Sequence, residues 1–92
     1  MYIPTITSIE NALKIYYSNA EIGNKEMYVL FGNRSTATIS KLKKSVKVEM
    51  IKRKIPTFSG YKVNTAIAFE VWGIDIADLE KRLIKLKELS LN

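Results

Sequence analysis

Asn24-Lys-Glu-Met-Tyr-Val-Leu-Phe-Gly32, followed by Asn33-Arg34-Ser35 and then Thr36-Ala-Thr-Ile-Ser-Lys-Leu-Lys-Lys44, is the stretch on which the architecture turns. Met27, Leu30 and Phe31 are spaced to share one side of a short helix, with Asn24 as its expected N-cap. Gly32 ends it, because glycine accepts the left-handed backbone beyond a helix end without a steric cost. Asn33-Arg34 reads as a turn, and Ser35 is placed to cap a second helix. In that helix Ile39, Leu42, Val46 and Met50 recur at helical spacing and line one face. Lys41, Lys44 and Lys52, with Thr38 and Ser45 beside them, fall largely on the opposite face. Neither Pro nor Gly interrupts the run before Pro56, so one helix is expected from Ser35 to about Arg53.

The flanks read less sharply. Pro4 and Thr5 to Ser8 form an extended entry, and Thr7 or Ser8 caps a first helix expected over Ser8 to Asn19, carried by Ile9, Leu13, Ile15, Tyr16 and Ala20. After the basic helix, aromatic and β-branched residues from Ile55 to Val63 surround the turn dipeptide Ser59-Gly60, which points to a short β-hairpin. Asn64 or Thr65 then caps a helix through Ala66, Ala68, Phe69 and Trp72 that stops at Gly73. Asp75 to Asp78 resembles a capping box with Asp in place of Glu and opens a last helix to Leu89. Its stripe is Ile76, Leu79, Leu83 and Leu86. The fold class expected is therefore mainly α, as a single domain over residues 1–92. A 92-residue chain that is 47% hydrophobic can bury a core, though a small one.

Composition excludes much chemistry. The chain has no cysteine and no histidine, which removes disulfides, thiolate or imidazole zinc sites and the usual nucleophile–base pairs. Asp75 and Asp78 are explained as first-turn charges favoured by the helix dipole rather than as paired acids. There is no glycine-rich phosphate loop. An enzyme is not expected, nor a metal, a cofactor or a small-molecule ligand. No apolar run reaches membrane-spanning length and the first residues lack a secretory pattern, so a cytoplasmic protein is expected. The net charge is +6, and its placement is more informative than its size. Residues 34–62 hold nine of the fifteen Lys and Arg against a single acid, Glu49, while each flank is near neutral. Positive charge gathered on one segment suggests a polyanionic partner.

A short apolar helix, a turn, and a second helix that opens with small hydroxylated residues and continues with lysines form a helix-turn-helix pattern. The run Phe31-Gly32-Asn33-Arg34-Ser35-Thr36-Ala37-Thr38-Ile39-Ser40-Lys41-Leu42 resembles the turn-plus-recognition-helix signature of the small helix-turn-helix and winged-helix regulators of bacterial phages and mobile elements. The likeness covers Asn24 to Lys44 and continues more loosely to Lys62, where a wing would stand. Ile39 lies seven residues after Gly32, one more than the tightest form of the motif. The resemblance implies sequence-specific binding of double-stranded DNA, as a transcriptional regulator or mobile-element accessory factor, with the helix over residues 35–53 in the major groove. The residues expected at the duplex are Arg34, Ser35, Thr36, Thr38, Lys41 and Lys44. Lys54 and Lys62, with Tyr61, are expected from the hairpin wing. Lys43 and Lys47 lie nearer the buried edge.

Blander readings stand beside these. A basic helix face is often only solvated, and Phe69 and Trp72 at helical spacing are core before they are a stacking platform. The alternative function is a phage-type interaction or inhibitor module whose basic face docks on an acidic or nucleic-acid-binding partner protein. In the last helix, Leu86, Leu89 and Leu91 are left as the expected homodimer contact, since two half-sites bound together raise affinity.

Overall fold

Polar residues just ahead of the apolar stripes start the helices. Ser8 Oγ accepts the Asn11 N–H at 3.2 Å and opens α1 (Ile9–Ser18). Ser35 Oγ accepts the Thr38 N–H at 3.1 Å and opens α3 (Thr36–Lys52). Asn64 Oδ1 accepts the Ile67 N–H at 2.9 Å ahead of α4 (Thr65–Val71), and Asp75 Oδ1 accepts the Asp78 N–H at 3.2 Å ahead of α5 (Ile76–Ser90). Each bond satisfies a first-turn donor that the helix itself leaves without a partner. The computed structural model describes residues 2–57 and 60–90.

The short helix α2 (Asn24–Phe31) begins one residue earlier than expected. Gly23, not Asn24, is its N-cap, and because glycine has no side-chain acceptor the Glu26 carboxylate reaches back instead, accepting the Gly23 N–H at 2.8 Å. At the other end Gly32 adopts φ +82 and ψ −171, a combination open essentially to glycine alone. The entry segment closes that end. Thr7 N–H donates to Leu30 O at 2.9 Å and Thr7 Oγ1 donates to Val29 O at 2.8 Å, so two carbonyls of the last turn are satisfied. A Cβ on Gly32 would stand 3.3 Å from Thr7 Cγ2.

The hairpin expected over Ile55 to Val63 is not what the described residues form. Residues 55–57 carry no strand, and Phe58 and Ser59, where half of its turn dipeptide falls, lie outside the described residues. Val63–Asn64 is a strand, β2, but it pairs with Glu21–Ile22, β1, antiparallel with Glu21 opposite Asn64 and Ile22 opposite Val63. Val63 and Ile22 are fully buried, so this pair leads the chain from the basic helix back into the core.

That core is one cluster. Ile39, Leu42, Val46 and Met50 of α3 are buried with Met27, Leu30 and Phe31 of α2, the small sheet, and Ile67, Ala68 and Phe69 of α4. Burying each such side chain contributes about 1.5–3 kcal/mol. Trp72, just after α4, is also buried, its ring edge-to-face on Phe31 with centroids 5.2 Å apart, and its Nε1–H donates to Leu42 O at 3.2 Å. It is core, as its spacing implied. α3 packs on α4 and β2, while α1 packs on α2, α4 and α5. α5 is attached mainly through Leu79, the one described residue of that helix that is buried. Tyr17 of α1 donates to Glu80 of α5, a contact between the two helices. Among the described residues, no helix is long and apolar enough to cross a membrane.

Candidate nucleic-acid interface

With Ile39, Leu42, Val46 and Met50 turned inward, the 100° step of a helix sends Ala37, Lys41, Lys44, Val48 and Ile51 outward. Lys41, Val48 and Ile51 are exposed, and Lys44 lines two surface clefts. Lys41 and Lys44 thus stand on the solvent side, as expected from the sequence. Two surfaces flank this ridge, one on each side.

On one side lie Asn24 at the start of α2 and the loop at 60–62. Lys43 Nζ donates to Asn24 Oδ1 at 3.1 Å, and Lys47 Nζ donates to Gly60 O at 3.0 Å. One cleft is lined by Asn24, Ser40, Lys43, Lys44 and Lys47, and an adjoining one by Gly23, Lys25, Glu26, Lys43, Tyr61 and Lys62. Five lysines from three parts of the chain therefore meet around the first turn of α2. The acid among them is Glu26, whose carboxylate is engaged by the Gly23 N–H. Partial burial, followed by the like charge of Lys47, pushes the Lys43 ammonium below its ordinary value. A bound anion would relieve that repulsion.

On the other side, a groove of about 540 Å³ runs between Tyr2 of the entry segment and Thr38, Lys41, Lys44, Ser45 and Val48 of α3. Lys44 borders both sides and is the residue that joins them.

The remaining expected residues divide by position. Ser35 is exposed, but its hydroxyl is engaged as the cap of α3 and shares a second hydrogen bond with Thr38 Oγ1 at 2.9 Å. Arg34 folds back, its Nε donating to Phe31 O at 3.1 Å, and Thr36 is exposed on the first turn of α3. Lys62 joins the cleft beside α2. Lys54 does not join Arg34 and Thr36: it follows the C-terminal end of α3 at φ +55, beyond a helix that rises about 24 Å from Thr36 to Lys52. Arg53, counted among the positive charges of the segment, is neutralised, its guanidinium bonding Glu49 and both carboxylate oxygens of Glu70 at 2.9 Å.

Three participants are not evident from the sequence. Lys25 sits in a near-neutral flank, and Lys43 and Lys47 look peripheral on a single helix; tertiary placement brings them in. Val48 and Ile51 carry a legible signal, since both are apolar yet fall outside the Ile39–Met50 stripe. Of the expected dimer residues, Leu86 and Leu89 are 51% and 61% exposed, and Leu91 lies outside the described residues. No family model, curated protein or solved structure matches this chain.

Proposed function

We propose that this chain is a sequence-specific double-stranded DNA-binding protein of the helix-turn-helix kind, with α2 and α3 as the two helices and the loop up to Lys62 in the position of a wing. In the cell it acts as a transcriptional regulator or as an accessory factor of a mobile element. The observation that carries this reading is the meeting of Lys25, Lys43, Lys44, Lys47 and Lys62 beside the exposed ridge of α3. Such a surface neutralises phosphates along one side of a helix seated in a groove about 12 Å wide, with Lys41 and Lys44 added from the ridge itself. The first turn of α2 adds backbone N–H groups and the positive end of its dipole. A second copy, joined through the exposed Leu86 and Leu89, presents two such ridges to one duplex.

The test is duplex binding over a series of salt concentrations. Replacing Lys44 and Lys47 with Ala should weaken binding to every sequence and flatten the log-log salt slope by about 2. Unchanged affinity and slope would remove these lysines from the interface. The exposed Val48 and Ile51 between lysines favour a second reading, an interaction module for an acidic partner protein. Capture from lysate treated with nuclease separates the two, because a protein partner survives that treatment and a nucleic acid does not.

A further inference from the structure

The outermost ridge of α3 is unusual in what it lacks. The helix, Thr-Ala-Thr-Ile-Ser-Lys-Leu-Lys-Lys-Ser-Val-Lys-Val-Glu-Met-Ile-Lys, contains no Arg, Asn or Gln. Asn and Gln are the side chains that pair with adenine edges in the major groove, and Arg shares guanine with Lys, so of these readers α3 carries Lys alone. The ridge offers methyl groups and ammonium groups instead. Ala37 stands at one end, Val48 and Ile51 at the other, with Lys41 and Lys44 between. Val48 is 47% and Ile51 77% exposed, and Tyr2, 70% exposed, walls the groove that Val48 and Thr38 line. On a surface that grips a duplex, large apolar groups left in water among lysines call for an apolar counterpart on the DNA.

The major groove supplies one such counterpart, the C5-methyl of thymine. From Ala37 to Val48 the helix rises about 16 Å, comparable to the stack of four or five base pairs at about 3.4 Å each. Resting on the DNA-binding reading above, we infer that α3 recognises its duplex through thymine methyl groups, packed against Ala37 and Val48, while Lys41 and Lys44 hold the strands on either side. Lysine reaches phosphate or guanine from there, but the apolar ends of the ridge decide where thymine must stand.

The inference is tested with a duplex recovered by selection from a random-sequence library, prepared once with thymine and once with deoxyuridine in its place. Uracil keeps every hydrogen-bonding group and every phosphate and removes only the methyls. Loss of each buried methyl contact should weaken binding about fourfold, so two contacts should cost about fifteenfold, with the salt slope unchanged. Val48→Ala, at an exposed position where folding is not at risk, should bind the thymine duplex more weakly and discriminate less between the two. Equal affinity for the two duplexes at an ordinary salt slope overturns the thymine inference and leaves the DNA-binding reading standing. Failure to bind any duplex overturns both.

Discussion

Gly32 does two jobs that no other residue can combine. Its φ of +82 with ψ near −171 is closed to side-chain-bearing residues, and the close approach of Thr7 leaves a Cβ only 3.3 Å from a methyl. Gly32→Ala should therefore cost about 1–3 kcal/mol in urea unfolding, and a neutral result would mean that the turn between α2 and α3 tolerates another path. Ser35 is expected at the duplex from the sequence, yet its oxygen is already engaged by the Thr38 N–H. Ser35→Ala should lower stability by about 1 kcal/mol, and any loss of DNA affinity it causes reports the start of α3 before it reports a contact. Thr65 is a different case. It is 2% exposed and its Oγ1 has no hydrogen-bond partner among the described residues. Thr65→Val keeps the shape and removes the buried hydroxyl, so thermal unfolding should show a gain of about 1 kcal/mol. A loss instead would mean that the hydroxyl has a partner after all.

α3 can serve as a rigid ridge because α4 and the residue after it clamp it at two heights. Trp72 bonds the carbonyl of Leu42 in mid-helix, and Arg53 joins Glu49 and Glu70 at the C-terminal end. The hydrogen bonds from Arg53 hold the Glu70 carboxyl below its ordinary value. A carboxylate depressed in the folded state stabilises fully above the unfolded carboxylate range and loses that contribution as pH falls through its folded value. Acid unfolding should thus show a component that sets in below about pH 4.3, absent in Glu70→Gln and reduced by salt because the pair is exposed. Coincident acid profiles for the two proteins would contradict it. The helices themselves are legible in the sequence: α1 and α3 match the capping residues and apolar spacing to within a residue, as helical periodicity over three or more turns allows. The sheet is not. Two residues per strand, far apart in the chain, are too short for alternation to register, so Val63 reads as part of a local hairpin when its partner is Ile22. The cleft is half legible for a related reason. Lys44, like Lys41 on the ridge outside the cleft, follows from one helix's periodicity, whereas Lys25, Lys43, Lys47 and Lys62 become neighbours only once α2 and the 60–62 loop pack beside it.

The molecule is elongated, 47 × 27 × 21 Å. α5 packs along α1 through Leu79 and the half-buried Leu83 and leaves Ile84, Leu86 and Leu89 in solvent. Leu86 follows the line of the buried Leu79 and Leu83, at the edge of a groove formed with Ile9 and the start of α1. If this end joins a second copy, Leu86→Glu with Leu89→Glu should abolish dimers in sedimentation and leave the fold intact, and a monomer before and after the change would assign these leucines to solvent. The proposed binding of DNA by the single chain does not depend on that outcome. It depends on a cationic outer face of α3, joined by lysines from α2 and the 60–62 loop. The decisive observation is the affinity of the intact protein for duplex DNA as salt is raised. About five to eight neutralised phosphates give a log-log slope of roughly −5 to −7, whereas a slope near zero, or no duplex binding at low salt, would contradict a DNA-gripping role for this surface.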